Sequence, residues 1–579
     1  MPPSILSILH PRSSITRRVR HSQEAVPPVY AREDLLARRF RVTKVIPYQR
    51  SAPFISNLSL AVFSGLLLVF AFPDWNLWSL GWVGTAPLIM AVVREQRFWR
   101  SLLLGTVTGT IFYAGSSYWV TYSMHNYGEV PLWLCYIILV IFAATLGVFT
   151  GLFAGTLALA IKRFDGWLIL TAPVLWASSE WLRLKATGMG WNPLGYSQAF
   201  QPAVIQVARW GGVYLVSAIL VAASTALVFG VVYLQNKRGI VVLTAVGVVA
   251  IAAVLYGESL RPSGDDESGS VSVAVIQPNI PIDGAWDDPK FLREMFGRYL
   301  SLSEQAIQAN AKDTTFTSEK RSAVDLVIWP ESAMNFEYDR DSDLRRKLSE
   351  FTQRNRVNLL MNSWGFAENS TATEPQYNSA VLISQTGQKV FEYDKNALVP
   401  FGEYVPARGW IPFMNRIKAL AGDVTAGNRV TLAEVAGAKI GTLICFETTR
   451  PDLARTMRRD GASALAQISN EAWFGPTSAP RQMLTTAIFR AVESNIDLIR
   501  ATNSGGSARI DRYGIVHDET PMFETATRTW KIKTQDESRA DAMTFYTRHG
   551  DLFAVACVVM SVLMSGAGVV RKLLGGDAV

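Results

Sequence analysis

Residues 441–447 read GTLICFE, an apolar run that ends at Cys445 and is followed two positions later by Glu447. A short apolar run that begins at a glycine is typical of a strand buried in a sheet. Similar runs recur between residues 271 and 502, with helical stretches between them. The predicted strands are Val271–Gln277, Asp325–Trp329, Val357–Asn362, Asn378–Ser384, Ala438–Cys445, Ala464–Ser469 and Leu498–Thr502, and the predicted helices are Phe291–Gln308, Leu344–Asn355 and Met483–Ser494. Strands that alternate with helices predict an α/β domain.

Two further segments of this domain carry charged side chains in distinctive surroundings. Residues 327–332 read VIWPES, in which Glu331 follows directly after an apolar strand. Residues 393–406 read YDKNALVPFGEYVP and contain Lys395 and Glu403. A reactive side chain at the end of a strand is held firmly by the scaffold, so these positions suit a catalytic site.

The chemistry of Cys445 requires a partner. A thiol attacks as the thiolate, and free cysteine has a pKa of about 8.5, so the residue needs a base or a neighbouring cation. A histidine base in this domain would have to be His517 or His549. Glu331 as base and Lys395 as electrostatic partner are the better-placed set, because an ammonium group stabilises both a thiolate and a developing oxyanion.

The composition predicts a membrane part beside the α/β domain. Of the 579 residues 49% are hydrophobic and 18% are charged, whereas soluble domains carry about 25% charged residues. The long apolar runs lie mostly in the first half of the chain, and a bilayer core of about 30 Å needs about 20 apolar helical residues. The predicted spans are Leu58–Phe72, Leu77–Val93, Leu102–Val120, Pro131–Ile161, Trp167–Trp181, Val204–Leu234, Ile240–Tyr256 and Leu552–Val570.

Basic residues in alternate loops predict the orientation. Lysines and arginines follow the second, fourth, sixth and eighth spans, and positive loops lie on the cytoplasmic side. Arg183 and Lys185, after the fifth span, break this pattern. We therefore expect a basic cytoplasmic tail at 1–54, a seven-helix transmembrane domain at 55–257, a catalytic domain outside the membrane at 258–549, and a last transmembrane helix with a short cytoplasmic tail at 550–579.

The positive charge has a topological explanation. The net charge of +8 is concentrated beside the apolar runs, so it does not indicate nucleic-acid binding. The arginine-rich segment 1–50 lacks the apolar core and cleavage site of a signal peptide and is predicted to be a tail that fixes orientation. Cys445 is the only cysteine of the α/β domain, so no disulfide framework is predicted there.

Residues 178–198 read SSEWLRLKATGMGWNPLGYSQ and bring Glu180 and Arg183 next to the bilayer. One interpretation is an interfacial loop with an aromatic belt, in which the two charges pair at helical spacing. The other is a wall of a lipid-facing entrance to an active site, since charge near the bilayer is costly and often functional.

The order Glu…Lys…Cys, with WPE at the first residue and CFE at the last, resembles the carbon–nitrogen hydrolase (nitrilase) superfamily. The narrower resemblance is to the apolipoprotein N-acyltransferase family, which joins such a domain to seven helices before it and one after it. Further matching motifs are SEWLR with GYSQ, QPNIPIDGAW, LVPFGEYVP, SNEAWFG and RATNSG. The resemblance implies an αββα sandwich outside the membrane on an eight-helix transmembrane bundle.

The resemblance also implies roles for individual residues. Cys445 would be the nucleophile, Glu331 the general base and Lys395 the oxyanion stabiliser, with Glu403 and Glu447 as supporting carboxylates. Substrate-contacting positions would be Trp286, Asn378, Phe446 and Trp473, although a strand-start role for Asn378 and core packing for Trp473 are equally open. The chain departs from the family pattern at Phe446, where many members have tyrosine, and at Glu471, where they have aspartate.

The function implied is N-acylation of the N-terminal S-diacylglyceryl cysteine of apolipoproteins, with a membrane phospholipid as acyl donor and a thioester on Cys445. No metal or other cofactor is expected. The implied location is the bacterial inner membrane, with the catalytic domain on the periplasmic side. The nearest alternative is a membrane-tethered amidase with the same triad, and a transporter, receptor or assembly protein remains a further alternative.

Overall fold

The computed structural model describes residues 53–164, 166–232, 237–261, 270–282, 284, 288–312, 324–331, 334, 336–366, 376–406, 423–533 and 543–573. Its first part is helical. The helices are α1 (Phe54–Phe70), α2 (Ala86–Glu95), α3 (Phe98–Ser116), α4 (Val120–Asn126), α5 (Leu132–Phe164), α6 (Ala172–Thr187), α7 (Pro202–Ile205), α8 (Ala208–Val232) and α9 (Lys237–Ser259).

The second part alternates strands and helices. The strands are β1 (Ser270–Gln277), β2 (Leu326–Ile328), β3 (Asn358–Phe366), β4 (Gln376–Ile383), β5 (Lys389–Asp394), β6 (Leu432–Val435), β7 (Ala438–Ile444), β8 (Ala464–Ser469), β9 (Leu498–Thr502), β10 (Ala508–Ile510), β11 (Val516–His517) and β12 (Ala526–Lys533). The helices are α10 (Pro289–Lys312), α11 (Ser342–Asn355), α12 (Pro451–Arg459), α13 (Ala479–Ser494), α14 (Phe545–His549) and α15 (Leu552–Leu573).

The strands form two six-stranded sheets, in the orders β12-β1-β2-β3-β4-β5 and β11-β10-β9-β8-β7-β6. The centre of each sheet is parallel, since β1, β2 and β3 run together in the first and β7, β8 and β9 in the second. Parallel central strands are buried on both faces, which explains why their sequences are continuous apolar runs. The predicted α/β domain with two sheets is therefore confirmed.

The seven predicted strands all exist, with ends that shift by a few residues. Strand β7 ends at Ile444 and not at Cys445, because Cys445 begins a 3₁₀ turn. The strands that the apolar pattern did not reveal are β5, β6, β10, β11 and β12. Each of them pairs antiparallel, and β12, with the sequence ATRTWKIK, carries polar residues at alternate positions because only one face is buried.

Helices occupy each of the eight predicted spans, but several are broken. The second span is a 3₁₀ turn at Trp78–Trp82 followed by α2, and the fifth begins as a 3₁₀ turn at Gly166–Thr171. The third divides into α3 and α4, and the sixth is kinked where Gly211 and Gly212 leave the helical conformation. Gly212 has a positive φ that permits the kink, and Pro87 and Pro173 lie in the first turns of α2 and α6, where proline can begin a helix but not continue one.

Within the described residues, three helical segments are long and apolar enough to cross a membrane, namely Leu132–Lys162, Ala208–Val232 and Gly239–Ser259. The apolar stretches Phe54–Phe70 and Leu552–Ser565 are shorter. Large apolar side chains such as Ile141, Val231 and Ile251 are more than half exposed on these helices, as a lipid-facing surface requires. The structure thus has the helices of a membrane protein, while the number of crossings remains a prediction.

Candidate active site

Cys445 lies at the point where β7 turns into the 3₁₀ segment Cys445–Thr449. Its φ of +51° lies in the left-handed region, which is costly for a side chain other than glycine. Backbone strain of this kind persists only where the surroundings enforce it, and it is common at active sites. Only 6% of the residue is exposed. The turn therefore holds the thiol in one position beyond the carboxyl end of a central parallel strand.

Glu447 fixes this turn to the loop that carries the lysine. One carboxylate oxygen accepts hydrogen bonds from the backbone nitrogens of Asn396 at 2.7 Å and Ala397 at 3.1 Å and from the Tyr393 hydroxyl at 2.8 Å. The other accepts from the nitrogen of Ile444 at 2.9 Å. Residues next to Lys395 and the residue before Cys445 thus share one buried carboxylate.

Lys395 is buried between two carboxylates. Its Nζ lies 2.8 Å from Oε1 of Glu403 and 3.5 Å from Oε1 of Glu331. Only 1% of Lys395 is exposed. The structure therefore brings together three of the charged residues singled out in the sequence.

Asn378 lies between the same two carboxylates. Its Nδ2 donates to Oε1 of Glu331 and to Oε1 of Glu403, both at 2.9 Å, and its Oδ1 accepts from Asn362 at 2.7 Å. The side chain therefore screens two like charges that would otherwise repel each other. Asn362 itself was not recognised from the sequence, since an asparagine within a strand carries no distinctive signal.

The second oxygen of Glu331 reaches the other sheet. Oε2 accepts from the backbone nitrogen of Asn470 at 3.2 Å, and the Asn470 side chain accepts from Nδ2 of Asn503 at 3.0 Å. Asn470 and Asn503 directly follow β8 and β9. The carboxyl ends of parallel strands from both sheets therefore converge at Glu331, which explains how residues distant in sequence build one site.

The charges around the thiol determine its protonation. Burial raises the pKa of the Cys445 thiol well above its ordinary value, the Glu331 carboxylate raises it further, and the Lys395 ammonium lowers it. Burial alone would lower the pKa of Lys395, but Glu403 and Glu331 more than offset this and raise it. The resting state thus contains a neutral thiol beside a cation, and proton removal requires a base at the moment of attack.

An aromatic wall from the helical part adjoins this site. Phe446, next to Cys445, lies parallel to Trp191 with ring centroids 6.5 Å apart. Trp191 packs on Trp119 at 4.8 Å, and Trp119 packs edge-on against Phe474 at 4.9 Å. Side chains from the helical and the α/β parts therefore form one continuous surface. The sequence pattern did not single out Trp119, and it marked Trp191 only as part of the segment 178–198.

Gln482 joins these indoles to the backbone. Its Oε1 accepts from Trp119 at 3.2 Å and from Trp191 at 2.6 Å, and its Nε2 donates to the carbonyls of Ser116 at 2.8 Å and Pro73 at 3.2 Å. A single buried amide on α13 thus satisfies four groups of the helical part, which fixes the wall against the catalytic domain.

The remaining predicted residues have separate surroundings. Trp473 packs against Tyr127 with centroids 5.1 Å apart, and Ser123 donates to its carbonyl oxygen at 2.7 Å. Trp286 lies outside the described residues. His517 pairs with an aspartate, Asp511, at 2.8 Å and His549 stacks on Phe545, so the geometry favours neither as the base for Cys445.

Glu180 and Arg183 form their hydrogen bonds with other groups, and not with each other as the helical spacing suggested. Oε1 of Glu180 accepts from the nitrogen of Leu194 at 2.7 Å and from the Trp176 indole at 2.8 Å. Arg183 donates to the carbonyl of Met189 at 2.9 Å. Both side chains therefore hold the loop that carries Trp191, and the hypothesis of a simple surface pair is not supported.

The surroundings of Glu471 explain why the chain can carry glutamate where the family pattern has aspartate. It is fully buried and accepts from Nη2 of Arg500 at 2.7 Å, while Arg500 also donates to Gln467 at 3.1 Å. A side chain at Gly505 would come within 2.7 Å of the Glu471 carboxyl group. The absence of a Cβ at that position leaves room for the longer carboxylate.

Comparison with known proteins gives two family matches. A model of the apolipoprotein N-acyltransferase N-terminal domain matches residues 64–226, and a carbon–nitrogen hydrolase model matches residues 272–540. A Geobacter metallireducens protein named apolipoprotein N-acyltransferase is 32% identical over 525 residues, which cover 89% of this chain and 95% of the relative. One of the same name from Rhodopseudomonas palustris is 29% identical, covering 87% and 94% of the two chains.

Among solved structures, similarity extends to Nit3 from Saccharomyces cerevisiae, a member of the nitrilase superfamily. The identity is 16%, the match covers 50% of this chain and 98% of Nit3, and the TM-score is 0.36. An amidase from Nesterenkonia sp. AN1 matches at 15% identity, covering 48% of this chain and 96% of the amidase, with a TM-score of 0.33.

Proposed function

The chain belongs to the apolipoprotein N-acyltransferase family, and we propose that it N-acylates bacterial lipoproteins through an acyl-enzyme formed on Cys445. The observation that carries this mechanism is the buried cluster of Lys395, Glu331 and Glu403 beside a neutral thiol on a strained turn. Such a cluster provides a nucleophile, a base and a cation without a metal ion.

The first half-reaction would acylate the thiol. Glu331 accepts the proton of Cys445 as sulfur attacks the ester carbonyl of the acyl donor, and a tetrahedral oxyanion forms near the Lys395 ammonium. The carbon–oxygen bond to the leaving alcohol then breaks, and Glu331 returns the proton to that oxygen. The products are the deacylated donor and a thioester on Cys445.

The second half-reaction would transfer the acyl group to nitrogen. The α-amino group of the diacylglyceryl cysteine attacks the thioester, Glu331 removes a proton from nitrogen, and sulfur leaves and regains a proton. The aromatic wall of Trp191, Trp119 and Phe474 supports transfer over hydrolysis, because it limits water beside the thioester.

A membrane phospholipid is the proposed acyl donor. Exposed apolar side chains on α5, α8 and α9 support contact with lipid, and Trp191 brings the aromatic wall from the helical part up to Phe446. The proposed location is the bacterial inner membrane, with residues 55–257 and 550–579 providing eight crossings and residues 258–549 on the periplasmic side.

Intact-protein mass spectrometry tests the acyl-enzyme. The purified protein, incubated with a phospholipid of defined chains, should gain the mass of one acyl group. This gain should be absent in Cys445→Ser and retained in Cys557→Ser, a matched change of a cysteine in α15. Equal acylation of both variants would contradict a role for Cys445.

A second assay separates acyl transfer from the amidase alternative. With a diacylglyceryl lipopeptide as acceptor, the labelled acyl chain should move to its α-amino group. Release of ammonia from a small amide, without acyl transfer to the lipopeptide, would favour the amidase.

A further inference from the structure

A cavity of about 440 Å³ lies where the helical part meets the end of the catalytic domain. It is lined by residues from the start of α8, the end of α9 and the segment around α14. The residues that matter for its chemistry are Arg209, Trp210, Tyr256, Phe545, Arg548 and His549. Cys445 and the cluster around it do not line this cavity.

The cavity lies beside the ends of three apolar helices, α8, α9 and α15. Arg209 and Trp210 are among the first residues of α8, and Tyr256 is close to the end of α9, two helices with membrane-spanning length. Phe545 and Arg548 shortly precede α15. Because α8, α9 and α15 adjoin the catalytic domain here, the cavity would open at the membrane–water boundary, where aromatic side chains are enriched.

Aromatic rings form one side of the cavity. The Trp210 indole donates to the Tyr256 hydroxyl at 2.9 Å, and its ring stacks on Phe545 with centroids 5.7 Å apart. Phe545 also stacks on His549 at 4.1 Å. Half of Trp210 is exposed although the ring is apolar. A surface of this kind suits the glycerol and upper acyl region of a lipid.

The other side of the cavity is positively charged. Arg209 is held in place by the side chains of Gln206 at 2.8 Å and Asn495 at 2.7 Å and by the carbonyl of Arg512 at 2.9 Å. Arg548 is exposed at the cavity. Among the described residues that line it there is no acidic side chain. Arginine guanidinium groups are well suited to bind phosphate oxygens.

We propose that this cavity binds the phosphodiester headgroup of a phospholipid with net negative charge, separately from the Cys445 site. The guanidinium of Arg548 would contact the phosphate, and the Trp210–Phe545 pair would contact the glycerol and acyl chains. The lipid is a bound ligand at the junction of the helices and is not consumed.

Native mass spectrometry of the full chain in detergent tests the site. Binding is measured in the Cys445→Ala background, so the result does not depend on whether Cys445 forms an acyl-enzyme. Delipidated protein should retain phosphatidylglycerol in preference to phosphatidylcholine. Adding Arg548→Gln should weaken the tightest phosphatidylglycerol binding by about fivefold to tenfold, as expected for a lost charge-assisted contact. Arg346→Gln, an exposed arginine on α11, should leave it unchanged.

Three outcomes would overturn the proposal. One is equal binding by the Arg548→Gln and Arg346→Gln proteins, and another is equal retention of the anionic and zwitterionic lipids. The third is displacement of the lipid by soluble glycerol phosphate at the same concentration, which would identify a site for free phosphate. Phe545→Ala provides a second test, since it should weaken lipid binding without removing charge.

Discussion

At the scale of single residues, the site depends on charged side chains that shift each other's pKa values. Lys395 stays protonated although it is buried, because Glu403 and Glu331 lie beside it. The Cys445 thiol stays protonated because it is buried beside Glu331. In the proposed mechanism, the same carboxylate that disfavours the thiolate would accept its proton, so reaction would be coupled to the approach of an acyl carbonyl.

A substitution of Asn378 tests whether this residue positions the two carboxylates or binds the substrate. We expect Asn378→Ala to lower kcat by up to about 10²-fold with little change in KM, because the carboxylates it separates would move. Steady-state kinetics with the lipopeptide acceptor measure both constants. Ser384→Ala, on the surface beyond β4, is the control. A large rise in KM at constant kcat would instead assign Asn378 to substrate binding.

Glu447 should produce a pH dependence of the reaction. Burial raises the pKa of this carboxyl group to about 7, against the effect of its hydrogen-bond donors. Only the ionised form accepts from all four donors, so kcat/KM should fall as pH is lowered through about 7. The Glu447→Gln variant should be slower at pH 8 and should lack this part of the acid limb. Glu350→Gln, with an exposed carboxylate, should keep the wild-type profile. An unchanged profile in Glu447→Gln would exclude Glu447 as its source.

At the scale of elements, kinks and turns bring the parts of the site together. The kink in α8 is followed by Val213, whose nitrogen donates to Glu493 at 3.0 Å, and Glu493 pairs with Arg490 at 2.8 Å. Arg490 also donates to the carbonyl of Thr448, in the turn that begins at Cys445, at 3.3 Å. The break in α8 is thus connected through two buried side chains to the turn that begins at Cys445.

Gly212 should be essential for this kink. Its φ of +63° and ψ of −167° are available almost only to glycine, and a Cβ would lie 2.7 Å from the Tyr546 ring. We expect Gly212→Ala to reduce stability by about 1–3 kcal/mol, measured as a lower Tm in detergent. Gly247→Ala in α9, where a Cβ would have no neighbour within 4 Å, should leave the Tm unchanged or slightly higher. Equal effects would show that the kink tolerates a side chain.

At the scale of the whole molecule, the helical and catalytic parts share a buried polar interface. Gln482 bonds to both tryptophans of the wall, and the Tyr513 hydroxyl donates to the carbonyl of Gly257 at 2.7 Å. At the edge of this interface, the partly exposed Lys185 near the end of α6 pairs with Asp551 at 3.3 Å, so one of the residues that broke the charge pattern has a structural partner. Buried polar contacts that are each satisfied favour a fixed arrangement of the two parts.

The proposed orientation predicts which residues a membrane-impermeant reagent can reach from outside the inner membrane. The test starts from a variant that lacks the three native cysteines. Into it, one cysteine is introduced at a time, either at Glu350 on α11 or at Lys162 near the end of α5. In cells with a permeabilised outer membrane, an impermeant maleimide should label Glu350→Cys and not Lys162→Cys. Disrupting the inner membrane should allow both to react. Labelling of Lys162→Cys alone in intact cells would reverse the orientation.

Much of this arrangement could be predicted from local sequence. The apolar runs before Glu331 and Cys445 identified β2 and β7 because a buried parallel strand must be apolar on both faces. The antiparallel strand β12 was missed because a strand with one buried face reads as a mixed segment. The kink at Gly212 and the breaks in the second and fifth spans were missed. An apolar run shows that a segment can lie in lipid, but it does not show where the helical backbone is interrupted.

The sequence by itself determined the α/β class of the domain and the apolar helices, and it predicted the reactive side chains, since each depends on residue type and short spacing. Only the tertiary structure decided that Asn378 separates two carboxylates, that Glu447 joins the turn of Cys445 to the loop of Lys395, and that Trp191 lies beside Phe446. Apart from the local bond between Ile444 and Glu447, these contacts join residues from 25 to 255 positions apart, and only the folding of the chain brings such residues within hydrogen-bonding or ring-contact distance.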